Sequence, residues 1–254
     1  MNGHIEVIEL GGGDETIGAA LTVGPDAAFV LTSKALYRLH ASPTGPQVAW
    51  RWDYGAAGGV DLSTPTLIDQ GSLIAFSING QGDRGQLLVL ETGAEEMPDA
   101  DREVCRMPLF KPGRSDMKNT LMGYGRSLVA ENNWGGDFFE LVDFEPGLAR
   151  VDVREDHSGC DLVWEDYTIA SQVPPRLSTG DGHIYLYARE RGTPKDLHAF
   201  YLTAIEFETG RVASELFVGT GRAIDNPMLS GDFWPGGVYV AGVRNGIITM
   251  RDGE

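Results

Sequence analysis

Apolar residues alternate with polar ones in short runs along the whole chain, and the runs recur in a fixed order. Five segments align on a leucine two places past a strand start: GAALTV (Gly18–Val23), TPTLI (Thr64–Ile68), NTLMG (Asn119–Gly123), PPRLS (Pro174–Ser178) and NPMLS (Asn226–Ser230). Leu21, Leu67, Leu121, Leu177 and Leu229 stand 46, 54, 56 and 52 residues apart. Each is followed by a Gly-containing turn, a second apolar strand (AAFVLTS, SLIAFSI, RSLVAEN, HIYLYAR, GVYVAGV) and a third (ALYRLHA, QLLVLET, LARVDVR, LTAIEFE, IITMRDG). Alternation of period two between turn residues is the signal of a strand, and four strands in roughly 40–50 residues is the unit of a propeller blade.

Four segments also carry an outer strand: VAWRWDY, EVCRMPL, CDLVWED and VASELFV. The fifth has none, whereas His4–Leu10 (HIEVIEL) is a strand pattern with no blade of its own. The pattern therefore predicts an all-β, five-bladed β-propeller of four-stranded blades over residues 1–254, a single domain. Its last blade is closed by pairing of His4–Leu10 with Ile247–Arg251. Such closure would remove an open sheet edge.

Third strands that end in acidic-x-x-Thr-Gly with a Trp to follow stand out at Glu206–Gly210 and Glu91-Thr92-Gly93, and at Thr44-Gly45 with Trp50; Ser158-Gly159 with Trp164 is a weaker copy. In these residues the repeat resembles that of the PQQ-like, or quinoprotein-like, β-propellers. It is most similar to an uncharacterised subgroup of them, through GYGRSLVAENNWGG, LARVDV, GCDLVWE and YLTAIEFETG. The resemblance covers nearly the whole chain and implies the fold superfamily. Those relatives extend further at the N-terminus, so the resemblance also implies a short form or a fragment. Quinoprotein dehydrogenases of this superfamily use a larger ring and a vicinal Cys pair. This sequence has no adjacent cysteines, so PQQ is not expected as a cofactor.

Composition narrows the partners. A net charge of −17 argues against nucleic acid, whose phosphates need clustered Lys and Arg. No apolar run reaches the roughly 18 residues of a membrane span. The first residues, MNGHIEVIEL, lack a basic start and a long apolar stretch, so no signal peptide is read; residence is cytoplasmic if Met1 is the native start. A monomer is expected.

Several motifs have an ordinary reading beside a chemical one. Gly80-Gln81-Gly82-Asp83-Arg84-Gly85 matches GxGxxG, but a strand rather than a helix follows it, so a hairpin loop is expected and not a dinucleotide cradle. Trp50 and Trp52 share a strand face and are expected to pack between blades. The loop Arg189–Phe200 is expected to be a solvated charged segment. Cys105 and Cys160 occupy equivalent outer-strand positions of neighbouring blades; such positions should lie beyond the roughly 7 Å Cα limit for a disulfide, so both are expected to stay reduced. No HExxH, GxSxG or P-loop pattern occurs.

Inner strands begin, and second strands end, on one face of the disc. That face gathers Thr64, Asn119, Gln172, Asp225 and Asn226 around the channel, with Glu131, Asn132 and Trp134 beside them. Carboxylate, amide and aromatic groups in that arrangement suit a sugar-like ligand or a hard cation; the ordinary reading is that Asn and Asp close local turns. The expected function is a non-catalytic propeller that binds a small molecule or a protein at the channel mouth. The alternative is a lactonase-like hydrolase or lyase with Ca²⁺ held by Glu131, Asn132, Asn119 and Asp225 or Asn226.

Overall fold

Five antiparallel sheets follow one another along the chain. In the computed structural model, residues 5–55, 61–80, 83–93, 96–190 and 197–251 are described. Sheet one comprises β1 (Thr22–Val23), β2 (Ala28–Leu31), β3 (Ala35–Ser42) and β4 (Gly45–Asp53), and sheet two β5 (Thr66–Ile68), β6 (Leu73–Ile78), β7 (Gln86–Glu91) and β8 (Glu103–Pro108). Sheet three is β9 (Met122–Tyr124), β10 (Ser127–Glu131), β11 (Leu148–Val153) and β12 (Cys160–Asp166). Sheet four is β13 (Arg176–Ser178), β14 (His183–Arg189), β15 (Ala199–Glu206) and β16 (Val212–Thr220), and sheet five β17 (Gly231–Trp234), β18 (Val238–Val243) and β19 (Gly246–Arg251). Each sheet is an up-and-down meander in sequence order, four-stranded in the first four cases and three-stranded in the last. No helix among the described residues is long and apolar enough to cross a membrane.

Alternation along the middle strands gives each inner sheet two apolar faces, and each face meets a neighbour. Ile74, Phe76 and Ile78 of β6 join Phe29, Leu31 and Leu36 of sheet one, while Leu73 and Ala75 join Leu128, Ala130 and Val151 of sheet three. Val129 and Leu148 then meet Ile184 and Leu186 of sheet four, whose Tyr187 and Phe200 meet Val243, Ile248 and Met250 of sheet five. The core is thus a series of slabs between sheets, not one central mass.

Tryptophans fasten neighbouring rims. Trp164 on β12 donates from Nε1 to Phe207 O at 2.9 Å, and its ring lies on the turn after β15. Gly210 there has φ +71°, and a Cβ would sit 2.6 Å from Trp164 Cδ2, so the turn requires glycine twice over. Trp50 and Trp52 are likewise buried, and the Arg102 guanidinium lies 4.3 Å from the Trp50 ring. After Gly80–Gly85 comes strand β7, as the hairpin reading expects; residues 81–82 lie outside the described residues, as do 191–196 of the Arg189–Phe200 loop.

Two expectations are corrected. Cys105 and Cys160 form a disulfide, with Cα atoms 5.9 Å apart. The reasoning from equivalent rim positions fails because β8 leans onto sheet three: Val104, Cys105 and Met107 pack with Cys160 against the shared slab. The second correction concerns the N-terminal segment. His4 lies outside the described residues, and Ile5–Leu10 belongs to no strand and does not pair with β19. Instead Ile8 and Leu10 rest on Val30, Tyr37 and Leu39 of sheet one, the apolar face nearest to them along the chain. Sheet five therefore keeps three strands.

Candidate functional site

β10 ends at Glu131, and the chain then turns through Asn132-Asn133-Trp134 into a long loop. Glu131 is 4% exposed. Its Oε1 accepts from Asn119 Nδ2 and from Asn133 Nδ2 at 3.0 Å, while Oε2 has no partner. Burial pushes its carboxyl up to about 7, against the opposing pull of the two amides. Asn119 Nδ2 also donates to Gln172 O at 2.8 Å, which ties sheet three to the entry of sheet four. Gln172 is buried, its Nε2 has no partner, and its amide packs so closely on Gly136 that a side chain there would collide with it.

The structure brings Asn119, Glu131 and Gln172 together and sends the other expected residues elsewhere. Asn132 is buried and clamps the preceding segment, accepting from Asp116 N at 3.1 Å and Trp134 N at 3.2 Å and donating to Arg114 O at 2.9 Å. Asp225 pairs with Arg244 Nε at 2.7 Å, and Asn226 closes its own turn against Leu229 at 2.8 Å in both directions. Thr64 is half-buried at the entry to sheet two. Among the described residues, no three His, Cys, Asp or Glu are grouped to hold a metal ion. Of the residues considered for calcium, Glu131 has a buried carboxylate oxygen, Oε2, without a partner, whereas Ca²⁺ takes six to eight oxygens.

Sequence reasoning missed Asn133, which supports Glu131 and accepts from Lys118 N at 2.9 Å and Asn119 N at 3.2 Å. The pair Asn132-Asn133 carried a signal: consecutive buried amides serve opposite sides of one strand end. Also missed was the reach of the following loop. Leu141 buries among Val173, Tyr187 and Phe200 of sheet four, Arg189 donates to Val142 O, and Arg222 and Arg244 beside sheet five donate to Phe139 O and Phe138 O at 3.1 and 3.2 Å. The loop is thereby strapped from sheet three across sheet four to sheet five.

Trp134, 41% exposed, stands at the root of this strap and lines a cavity of about 360 Å³ between sheets two and three. Asp61, Asn79, Asp83, Arg84 and Asp116 also line it. Asn79 is fully used: Nδ2 donates to Asp61 O at 2.9 Å and Met117 O at 3.0 Å, and Oδ1 accepts from Met117 N at 2.8 Å. Lys118 pairs with Asp116 at 2.9 Å and Asp61 at 3.2 Å. Asp116 Oδ1 is buried without a partner, and burial raises this carboxyl despite the nearby Lys118. The cavity is thus lined by three aspartates and one arginine beside Trp134.

No protein-family model matches the chain. No curated protein matches it either. Solved structures do. BamB from Moraxella catarrhalis is 12% identical over 92% of this chain and 60% of its own length, with a TM-score of 0.58. A candidate 6-phosphogluconolactonase from Bacteroides fragilis is 11% identical over 91% of this chain and 65% of its own, at 0.57. The quinohemoprotein alcohol dehydrogenase of Comamonas testosteroni is 11% identical over 94% and 43%, at 0.56. The chain therefore spans about 60% of the length of the BamB structure it matches. At these identities the likeness shows the fold alone, a β-propeller architecture.

Proposed function

We propose that the protein is a non-catalytic binding module, a five-bladed propeller whose channel-mouth face takes a small molecule or a protein side chain. The observation that carries this reading is the cavity of about 360 Å³ that the partly exposed Trp134 lines together with Asp61, Asp83 and Asp116. A ligand that donates hydrogen bonds and presents a flat or cationic surface to the indole suits that lining. The net charge of −17 draws cations towards such a site. Asn132 Oδ1 accepts from the Trp134 backbone N–H at 3.2 Å and so fixes the residue at the edge of the cavity. Propeller neighbours of unlike activity support no choice between binding and catalysis, since fold does not carry function.

The test is a thermal-shift and calorimetric screen with primary alkylamines, guanidines and neutral sugars. A saturable Tm rise that Trp134→Ala removes is the expected result. Flat responses to every probe class, in wild type and variant alike, reject the binding site.

One observation favours a second reading, a Ca²⁺-assisted lactonase-like hydrolase or lyase. Glu131 Oε2 is buried without a partner, an oxygen that a cation entering the site would take up. Melts with EDTA and with added Ca²⁺ should then differ by several degrees, with the difference lost in Glu131→Gln. Sugar-lactone hydrolysis should also disappear in that variant. Identical melts and no lactone turnover leave the binding module alone.

A further inference from the structure

Sheets two, three and four each pack against a neighbouring sheet on both faces, whereas sheets one and five each meet a neighbouring sheet on one face only. The register of sheet five sets Trp234 opposite Val238, Val238 opposite Arg251, Val240 opposite Thr249 and Gly242 opposite Ile247, so these residues share one face. It is the face turned away from sheet four, since Ile248 and Met250 point the other way, into the shared slab. Trp234 is 64% exposed on it and Ile247 74%. At the other end of the molecule, Val30, Tyr37 and Leu39 form the face of sheet one turned away from sheet two, covered by Ile8 and Leu10 and flanked by hollows of about 590 and 460 Å³. Among the described residues no hydrogen bond and no buried cluster joins sheet five to sheet one.

A missing strand and a strand-patterned segment outside every sheet accompany these faces. β19 occupies the outer edge of sheet five, where every other sheet has a fourth strand beyond its third. Ile5–Leu10 alternates like a strand and lies in no sheet, with Ile5 86% and Val7 83% exposed. Donor and edge are both six residues long.

We propose that two copies of this chain associate head to tail. The open face of sheet five in one copy packs on the outward face of sheet one in the other, and Ile5–Leu10 of the second copy pairs with β19 as the absent fourth strand. The contact continues the sheet-on-sheet stacking already present at the four inner junctions, with faces of the same alternation. The occupant is a second copy because this chain itself carries a strand-patterned segment that lies in no sheet, attached to the face that would dock. Being heterologous, the contact closes when two copies exchange reciprocally and otherwise extends. This association is independent of the ligand cavity between sheets two and three.

Hairpin geometry supplies a selective test. The β18–β19 turn has two residues, Arg244 and Asn245, so Val243 and Gly246 form a hydrogen-bonded pair, and N–H groups alternate from there. Those of Gly246, Ile248 and Met250 point to β18, and those of Ile247, Thr249 and Arg251 point to the open edge. Thr249→Pro therefore removes an edge donor and leaves the β18 bonds in place. Sedimentation velocity of the full chain between 1 and 200 µM should show concentration-dependent association. Thr249→Pro and, separately, the double variant Ile5→Asp/Val7→Asp should each weaken it at least tenfold. Because each variant keeps the half that the other lacks, an equimolar mixture of the two should recover a heterologous dimer. A wild type that sediments as a monomer throughout overturns the proposal, as does self-association that neither variant weakens.

Discussion

The junction between sheets two and three and the gap between sheets five and one are written in the same alternating pattern, yet they end in opposite states. At the junction, Leu73, Leu87, Leu128 and Val151 are fully buried, Thr66 Oγ1 donates to Leu121 O at 3.0 Å, and the Cys105–Cys160 disulfide closes the rim. His157 adds a bridge, its Nδ1 2.6 Å from Glu91 Oε1 and its Nε2 3.3 Å from Asp69 Oδ2. At the gap the same repeat leaves its leucines in water: Leu121 is 3% exposed, whereas Leu21 and Leu229 are 58% and 42% exposed. A strand pattern therefore states which face is apolar and not whether anything covers it. The cover is supplied by the next unit of the array, as in any stacked repeat.

The largest effect that sharpens this contrast is a matched truncation. Leu128→Ala, in a closed slab, should cost about 2–5 kcal/mol in chemical denaturation, while Ile247→Ala should change monomer stability by under about 0.5 kcal/mol. Equal losses would mean that the open face is covered in solution within one chain. Next in size is the rim bond. Cys105→Ser with Cys160→Ser should lower stability by roughly 2–4 kcal/mol, because a crosslink across 55 residues constrains the unfolded chain. A thiol count on unfolded, unreduced protein should find no free thiol; two reactive groups would restore the reduced reading.

Glu131 comes third. Its carboxyl is raised from 4.5 to about 7, so between those values the folded state holds a proton that the unfolded state has lost. Stability should accordingly fall as pH rises through that window, by on the order of 3 kcal/mol, and Glu131→Gln should flatten the slope. A wild-type profile parallel to that of the variant would refute the burial argument. The smallest effect belongs to His157, whose pKa is raised chiefly by its hydrogen bond to Glu91. The charge-dependent part of its contribution is complete below the unfolded value near 6.5 and is lost as pH rises through the higher folded value, so His157→Gln should cost under about 1 kcal/mol near pH 6 and less as the pH is raised to 9. A loss undiminished at pH 9 would show that the ring acts by packing alone.

The placement of three candidate residues was legible and that of others was not. Asn119, Glu131 and Gln172 could be placed on one face because strand direction and repeat position settle which loop ends lie together. Asp225 and Asn226 were placed on that face by the same logic, but one meets Arg244 and the other its own Leu229, partners that repeat position does not reveal. The strap from Trp134 to Glu145 was unreadable for a related reason: it is held by single arginines, Arg189, Arg222 and Arg244, donating to backbone carbonyls far along the chain. Such bonds leave no periodic trace.

By itself the sequence determined the strands, their order within each sheet and the five-fold repetition, because alternation and turn chemistry are local and act through neighbouring residues. It also determined that Trp50 and Trp52 would pack between sheets, since two tryptophans two places apart share one strand face. Tertiary structure alone decided three things: that β8 and β12 come close enough for a disulfide, that Ile5–Leu10 settles on sheet one, and that sheet five is left with an open edge. Each depends on the tilt between whole sheets and on which apolar face is nearest in space. Those quantities are set by the packing of complete slabs, and no short stretch of the chain encodes them.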